Sequence, residues 1–118
     1  MNYLSTRDKS LKFNFKDIFL RGLAPGGGLF LPSKIRSYDK TDLENLSKLS
    51  YPELATEILY NFCSDNFTKD ELNSLIKDAY KNFEDKGVVK IKKIDDVNLL
   101  ELYHGPTLAF KDIAMQVI

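Results

Sequence analysis

The feature that most constrains the fold is a series of helix starts in the middle of the chain. A polar residue followed three positions later by Glu forms a capping box, which satisfies backbone N–H groups left free at the start of a helix. The pattern occurs three times, at Thr41–Glu44, Ser50–Glu53 and Thr68–Glu71. We therefore expect three consecutive helices that begin at these positions.

The second and third of these predicted helices each carry one apolar face. Their apolar residues recur at the i, i+3, i+4, i+7 spacing of an amphipathic helix. In the second helix they are Tyr51, Leu54, Ala55, Ile58, Leu59 and Phe62. In the third they are Leu72, Leu75, Ile76, Ala79, Tyr80 and Phe83.

Shorter elements are predicted before these helices. Residues 2–6 fit a short strand, and residues 11–23 fit a helix that ends at Gly22. The glycine run Pro25–Gly28 then leads into an apolar strand, Leu29–Leu31. A phosphate-binding loop runs from a strand through glycines into a helix, whereas here the order is helix, turn, strand. The run is therefore interpreted as a reversal turn.

The pattern changes after Gly87, and residues 88–118 are typical of a strand–strand–helix unit. Residues 88–94 alternate loosely, Asp95–Asn98 fits a turn, and residues 99–104 fit a second strand. Thr107 is a plausible N-cap for a last helix that starts at Leu108. We place a domain boundary here, with residues 1–86 in the first domain and 87–118 in the second.

Charge and composition exclude several classes of protein. Lys and Arg total 17 and so do Asp and Glu, which argues against a protein that binds nucleic acid. No apolar run is long enough to span a membrane, and we expect a soluble, cytoplasmic protein. His104 and Cys63 are the only residues of their kinds and lie far apart in sequence, so no metal site is expected.

Lys111 is the most unusual residue of the predicted last helix. Its helical neighbours are Thr107, Leu108, Ala114, Met115 and Ile118, with no carboxylate among them, and the polar stripe lies to one side, at Asp112 and Gln116. Apolar surroundings would favour the uncharged amine, which can attack a carbonyl carbon. Alternatively, the long side chain extends to solvent and stays charged. His104, at the predicted end of a strand, fits either a ligand contact or a structural role in the turn.

Two stretches of the sequence resemble the threonine synthase family. The first is "ELYHGPTLAFKDIAMQ", which starts at Glu101 and is similar to the family's pyridoxal-phosphate lysine segment. The second comprises "YLSTR" at Tyr3–Arg7 and "GLAPGGGLFLP" at Gly22–Pro32, which are similar to the opening of the same family. Gly26 departs from the family pattern, which commonly has an acidic residue there.

The resemblance implies an α/β fold, with a helix-rich N-terminal threonine synthase domain followed by the start of a tryptophan-synthase-β-like (fold type II) catalytic domain. It implies that Lys111 carries pyridoxal 5'-phosphate (PLP) and moves protons, and that Phe110 packs near the cofactor ring. His104 and Thr107 are candidates for substrate contact. The implied reaction converts O-phospho-L-homoserine and water to L-threonine and phosphate.

No segment of the chain fits the phosphate loop that a PLP site needs, and the resemblance places that loop beyond residue 118. We therefore expect an N-terminal fragment that is inactive alone and binds the cofactor poorly. Two alternatives stay open. One is a related PLP enzyme with a different phosphorylated amino-acid substrate. The other is a non-catalytic module that docks on a partner through its C-terminal helix.

Overall fold

The computed structural model describes all 118 residues, and it combines short antiparallel sheets with helices. In chain order the elements are β1 (Tyr3–Ser5), β2 (Lys12–Phe13), α1 (Phe15–Arg21), a 3-10 turn (Pro25–Gly27), β3 (Phe30–Pro32), α2 (Lys40–Leu46), α3 (Tyr51–Cys63), α4 (Lys69–Tyr80), β4 (Lys90–Ile94), β5 (Val97–Glu101) and α5 (Asp112–Met115). None of the helices has the length and apolar character needed to cross a lipid bilayer.

The first three strands form one antiparallel sheet with β1 in the middle and the order β2-β1-β3. The predicted opening strand and the predicted strand after the glycines are both confirmed, although β3 starts one residue later than expected. Pro32 is the last residue of β3 and pairs with Tyr3. An edge strand tolerates proline because its outer N–H groups need no partner. The two-residue β2 was not predicted.

The helix starts follow two of the three predicted capping boxes. The boxes at Ser50 and Thr68 are confirmed at the starts of α3 and α4. The box at Thr41 is wrong, because α2 starts two residues earlier with Asp39 as its N-cap. The Asp39 side chain accepts a 2.8 Å hydrogen bond from the backbone N–H of Asp42, and the Asp42 side chain accepts one from the N–H of Asp39.

The core lies where α3 and α4 pack together. It consists of six buried side chains, Cys63, Leu72, Ile76, Tyr80, Phe83 and Val88. Most of the apolar face predicted for α4 is buried, but Leu75 is 53% exposed. Cys63 is a free, buried thiol, and burial raises its pKa, so it behaves as a small hydrophobic residue.

Strands β4 and β5 form a separate antiparallel hairpin with a tighter turn than predicted. Only Asp95 and Asp96 connect the strands, so the expected four-residue turn is wrong and β5 begins at Val97. Asp95 has a φ of 51°, a conformation that Asp adopts more readily than most residues. The strand ends at Glu101, and His104 lies three residues beyond it.

The last helix is much shorter than predicted. It covers only Asp112–Met115, and Thr107 is not its N-cap. Leu108 has a φ of 62°, which is incompatible with a continuous helix from that residue. The hydroxyl of Thr107 instead bonds to the side chain of Asp112, five residues along the chain.

Candidate functional site

Ten residues between β5 and α5, which we call the lysine loop (residues 102–111), contain all four residues that the sequence singled out. His104 lies in its first half, Thr107 begins its second half, and Phe110 and Lys111 lie at its end. The loop makes backbone turns rather than a helix, with bonds such as Leu108 N–H to Gly105 C=O at 3.0 Å. Side-chain hydrogen bonds to Glu101 and Asp112 add to these backbone bonds.

Asp112 organises the second half of the lysine loop. Its side chain is nearly inaccessible, with 3% exposure. The carboxylate accepts hydrogen bonds from the backbone N–H and the hydroxyl of Thr107, each at 2.8 Å, and a longer one of 3.4 Å from Gln116. The sequence had placed Asp112 on a solvated stripe, and this interpretation is wrong. Asp112 directly follows Lys111, and its side chain bonds to Thr107 in the middle of the loop.

Gly105 is required by the close approach of Asp112. A Cβ atom at position 105 would lie 2.8 Å from the Cγ of Asp112, which is shorter than real carbon contacts. Any larger residue would push the carboxylate away from Thr107. The glycine therefore serves tight packing between the two halves of the loop.

The hydrogen bonds to Asp112 also control its ionisation. Burial acts to raise the pKa of this carboxyl, but the bonds from Thr107, Gln116 and the backbone of Ala109 together outweigh burial, so the pKa is lowered. A carboxylate that accepts several hydrogen bonds is stabilised in its charged form. Asp112 is therefore a buried anion at neutral pH.

His104 is held from three directions in the first half of the loop. Its Nε2 lies 3.2 Å from the Oε2 of Glu101, and its ring lies against the ring of Tyr103 with centroids 4.7 Å apart. Its backbone carbonyl accepts a 2.9 Å hydrogen bond from the N–H of Glu84. The first half of the loop thus also depends on a buried carboxylate, that of Glu101.

Lys111 and Phe110 lie on the outside of the chain. Phe110 is 66% exposed, and Lys111 is also exposed. The prediction that Lys111 lies on an apolar helix face is wrong, because the lysine loop replaces the first four residues of that helix, about one turn. The structure therefore offers an accessible primary amine beside an accessible aromatic ring.

The two N-terminal motifs also lie together. Arg7 donates a hydrogen bond to the carbonyl of Gly26, and the hydroxyl of Thr6 accepts one of 2.9 Å from the N–H of Leu29. A Cβ at Gly28 would meet the buried Ser5 hydroxyl at 2.6 Å, so this position needs glycine. The "STR" and glycine segments, distant in sequence, form one structural unit.

Comparison with known proteins agrees with these motifs. A family model described as "Threonine synthase N terminus" matches residues 2–80. The chain belongs to the threonine synthase family. The match covers β1 through α4, and the predicted fold class is confirmed by solved threonine synthase structures.

Several threonine synthases are similar over the whole chain, including the lysine loop. The chain is 38% identical to threonine synthase from Schizosaccharomyces pombe, over 100% of this chain and 23% of that protein. It is 41% identical to human threonine synthase-like 2, over 98% of this chain and 24% of that protein. The chain therefore spans about a quarter of the length of these relatives.

A solved structure gives the same result. The crystal structure of PLP-bound threonine synthase from Brucella melitensis superimposes with a TM-score of 0.93 at 36% identity, covering 99% of this chain and 25% of that one. The threonine synthase from yeast superimposes with a TM-score of 0.91 at 38% identity. The threonine synthase fold thus accounts for the whole described chain.

Sequence reasoning missed two residues of the candidate site, Glu101 and Asp112. Both are buried carboxylates, and each holds one of the polar residues that the sequence did identify. For Glu101 a signal was available, since it lies three residues before the single histidine. For Asp112 there was no such signal, because the predicted helix placed its side chain on a solvent-exposed face.

Proposed function

We propose that the full-length protein is a PLP-dependent threonine synthase, a cytoplasmic lyase that converts O-phospho-L-homoserine and water to L-threonine and phosphate. The supporting observation is that similarity to threonine synthases extends through the lysine loop to the end of the chain. The chain would then contribute the N-terminal domain, residues 1–86, and the start of the catalytic domain, residues 87–118.

In this proposal Lys111 holds the cofactor. Its accessible amine has the chemistry to bind an aldehyde covalently, and the exposed ring of Phe110 beside it offers an apolar surface for the cofactor ring. When bound, PLP supplies an electron sink for a substrate carbanion. Lys111 then accepts and returns protons as a free amine.

His104 and Thr107 would lie near the substrate, and the carboxylates behind them would set their positions. Thr107 is fixed through both its backbone N–H and its hydroxyl to Asp112. His104 is fixed through its ring to Glu101. Because Asp112 directly follows Lys111, the same carboxylate also restricts the backbone from which the amine extends. Preorganised groups of this kind lower the cost of reaching a reactive arrangement.

The test is turnover by the purified full-length protein. With PLP and O-phospho-L-homoserine, threonine and phosphate should form in equal amounts. Lys111→Ala should lower kcat by at least about 10²–10⁴-fold, the range for loss of a positioned acid–base group. Lys93→Ala, in the exposed hairpin, is the matched control and should keep wild-type activity. Full activity of Lys111→Ala would contradict the proposal.

A second candidate is a related PLP enzyme acting on another phosphorylated amino acid. It is favoured by the 41% identity to threonine synthase-like 2 proteins, which is as high as the identity to threonine synthases. Phosphate release should be compared between O-phospho-L-homoserine and other O-phosphorylated amino acids. Faster release from one of the others would favour this candidate and leave the role of Lys111 unchanged.

A further inference from the structure

Glu101 and His104 form a nearly buried pair at the end of β5. Their side chains are 10% and 11% exposed, and the Oε2 of Glu101 lies 3.2 Å from the Nε2 of His104. Both residues are in the segment that leads to Lys111, and Glu101 fixes the position of the His104 ring, but the tautomer of that ring and the role of its second nitrogen are still unassigned. The question is what this nearly buried carboxylate does to the imidazole of His104.

The second ring nitrogen of His104 is free and reaches solvent. Among the hydrogen bonds of the chain, His104 uses only Nε2. No buried side-chain nitrogen or oxygen in the structure lacks a hydrogen-bond partner. Because Nδ1 has no partner, it cannot be buried. The ring is thus held at one nitrogen and open at the other.

An ionised Glu101 determines which ring nitrogen bears the proton. The nearby Tyr103 hydroxyl lowers the pKa of Glu101 most, burial opposes this, and His104 and Lys92 add to the lowering. An ionised carboxylate has no proton to donate, so Nε2 must be the donor in this pair. In the neutral imidazole Nδ1 is then an acceptor.

We propose that Glu101 is a positioning residue that holds His104 as the Nε2–H tautomer and presents Nδ1 as a hydrogen-bond acceptor to the substrate. The inference rests on the proposed function, which places His104 beside an amino-acid substrate. The donor is the ammonium group of the incoming substrate, before that nitrogen becomes bonded to the cofactor. The backbone bond from Glu84 holds the main chain of His104, and the adjacent ring of Tyr103 limits rotation of the His104 ring.

The tautomer is measured directly by nitrogen NMR of the full-length protein with ¹⁵N-labelled histidine. The His104 signals are assigned by their loss in His104→Gln, and spectra are taken about two pH units above the ordinary imidazole pKa of about 6.5. Nε2 should show a protonated shift and Nδ1 an unprotonated one. Glu101→Gln should move both toward averaged values, since an amide can donate or accept.

Glu84→Gln is the matched control, because it removes a nearby charge and keeps the backbone bond to His104. It should leave the tautomer unchanged. A wild-type Nδ1–H tautomer, or spectra that are the same in wild type and Glu101→Gln, would overturn the proposal. If Glu101→Gln fails to fold, a wild-type spectrum that shows the Nδ1–H tautomer still overturns the proposal.

The substrate contact has its own readout. O-Phospho-L-homoserine added to Lys111→Ala, in which turnover is blocked, should shift the Nδ1 signal of His104, and no shift would overturn this part. In active protein Glu101→Gln should lower kcat/KM about tenfold or more, as for other residues that orient a functional histidine. If PLP does not attach to Lys111 but the tautomer is as stated, the proposed function fails while the role of Glu101 in holding His104 stands.

Discussion

The hydroxyl of Tyr80 donates a 2.8 Å hydrogen bond to the backbone carbonyl of Ile113, 33 residues along the chain. Tyr80 ends α4, and Ile113 follows Lys111 by two residues. Burial, together with neighbouring Tyr51, raises the pKa of Tyr80 to about 12, so the hydroxyl stays protonated and keeps donating near neutral pH. The helical core thereby holds the segment that contains the candidate lysine.

Removing this hydroxyl should weaken the attachment of that segment. Tyr80→Phe keeps the ring in the core but leaves the Ile113 carbonyl without its partner, which should cost about 0.5–1.5 kcal/mol of unfolding free energy. Urea unfolding of the chain measures the change. Tyr60→Phe is the control, because Tyr60 packs against the same core and its hydroxyl makes no hydrogen bond within the chain. An equal loss in both variants would show that the Ile113 bond contributes nothing.

The α4 helix offers a sharp test of which side chains form the core. Ile76 is fully buried at 0% exposure, whereas its neighbour Leu75 is 53% exposed. Ile76→Ala should lower the unfolding free energy by about 2–5 kcal/mol, through lost burial and a cavity. Leu75→Ala should change it by about 0.5 kcal/mol or less. Similar losses in the two variants, measured by urea unfolding, would contradict the observed packing of α4.

Gly105 should be sensitive for reasons of space rather than backbone conformation. Gly105→Ala places a methyl group against Asp112, and overpacking of this kind costs about 1–3 kcal/mol. The specific readout is hydrogen exchange of the Thr107 amide, which should become fast. Gly22→Ala is the control: its φ is 71° but the space is open, so the chain loses stability while Thr107 stays protected. Unchanged protection in Gly105→Ala would show that the contact is not restrictive.

Acid should release Thr107 from Asp112. The pKa of Asp112 is lowered in the folded chain from its ordinary value of 3.8. This carboxylate therefore stabilises the fold fully above pH 3.8, and the contribution is lost as the pH falls below 3.8 through the lower folded pKa. The amide chemical shift of Thr107, followed by NMR, should stay constant above pH 5 and change only at the acid end.

Asp112→Asn provides the control for this titration. The amide oxygen of Asn can still accept from the N–H of Thr107, but the side chain does not ionise. The Thr107 shift should then lose its acid transition. The same transition in Asp112→Asn and in the wild-type chain would mean that another group causes it.

Local signals in the sequence were enough to locate α3 and α4. A capping box such as that at Ser50 or Thr68 involves residues three apart, so its energetics are readable without the rest of the fold. The start of α2 was misplaced because two possible capping boxes overlap within six residues, 39–44. Asp39 with Asp42 forms the observed one, and Thr41 with Glu44 lies inside the helix.

The last helix could not be predicted from periodicity. Its apolar spacing fits a helix from Leu108, but one buried carboxylate binds Thr107 across five residues and the chain turns at Leu108. Buried polar groups must be paired, and this requirement outweighs helical propensity over so short a segment. The candidate lysine was found from the motif around it, whereas Glu101 and Asp112 became visible only once burial was known.

Attachment of PLP to Lys111 tests the proposed function most directly. The full-length protein is incubated with pyridoxal phosphate, reduced with borohydride, digested, and its peptides are identified by mass spectrometry. We expect one pyridoxyl group per chain on Lys111 and none at position 111 in Lys111→Ala. A folded protein that carries no label at Lys111 would contradict the proposed role of this residue.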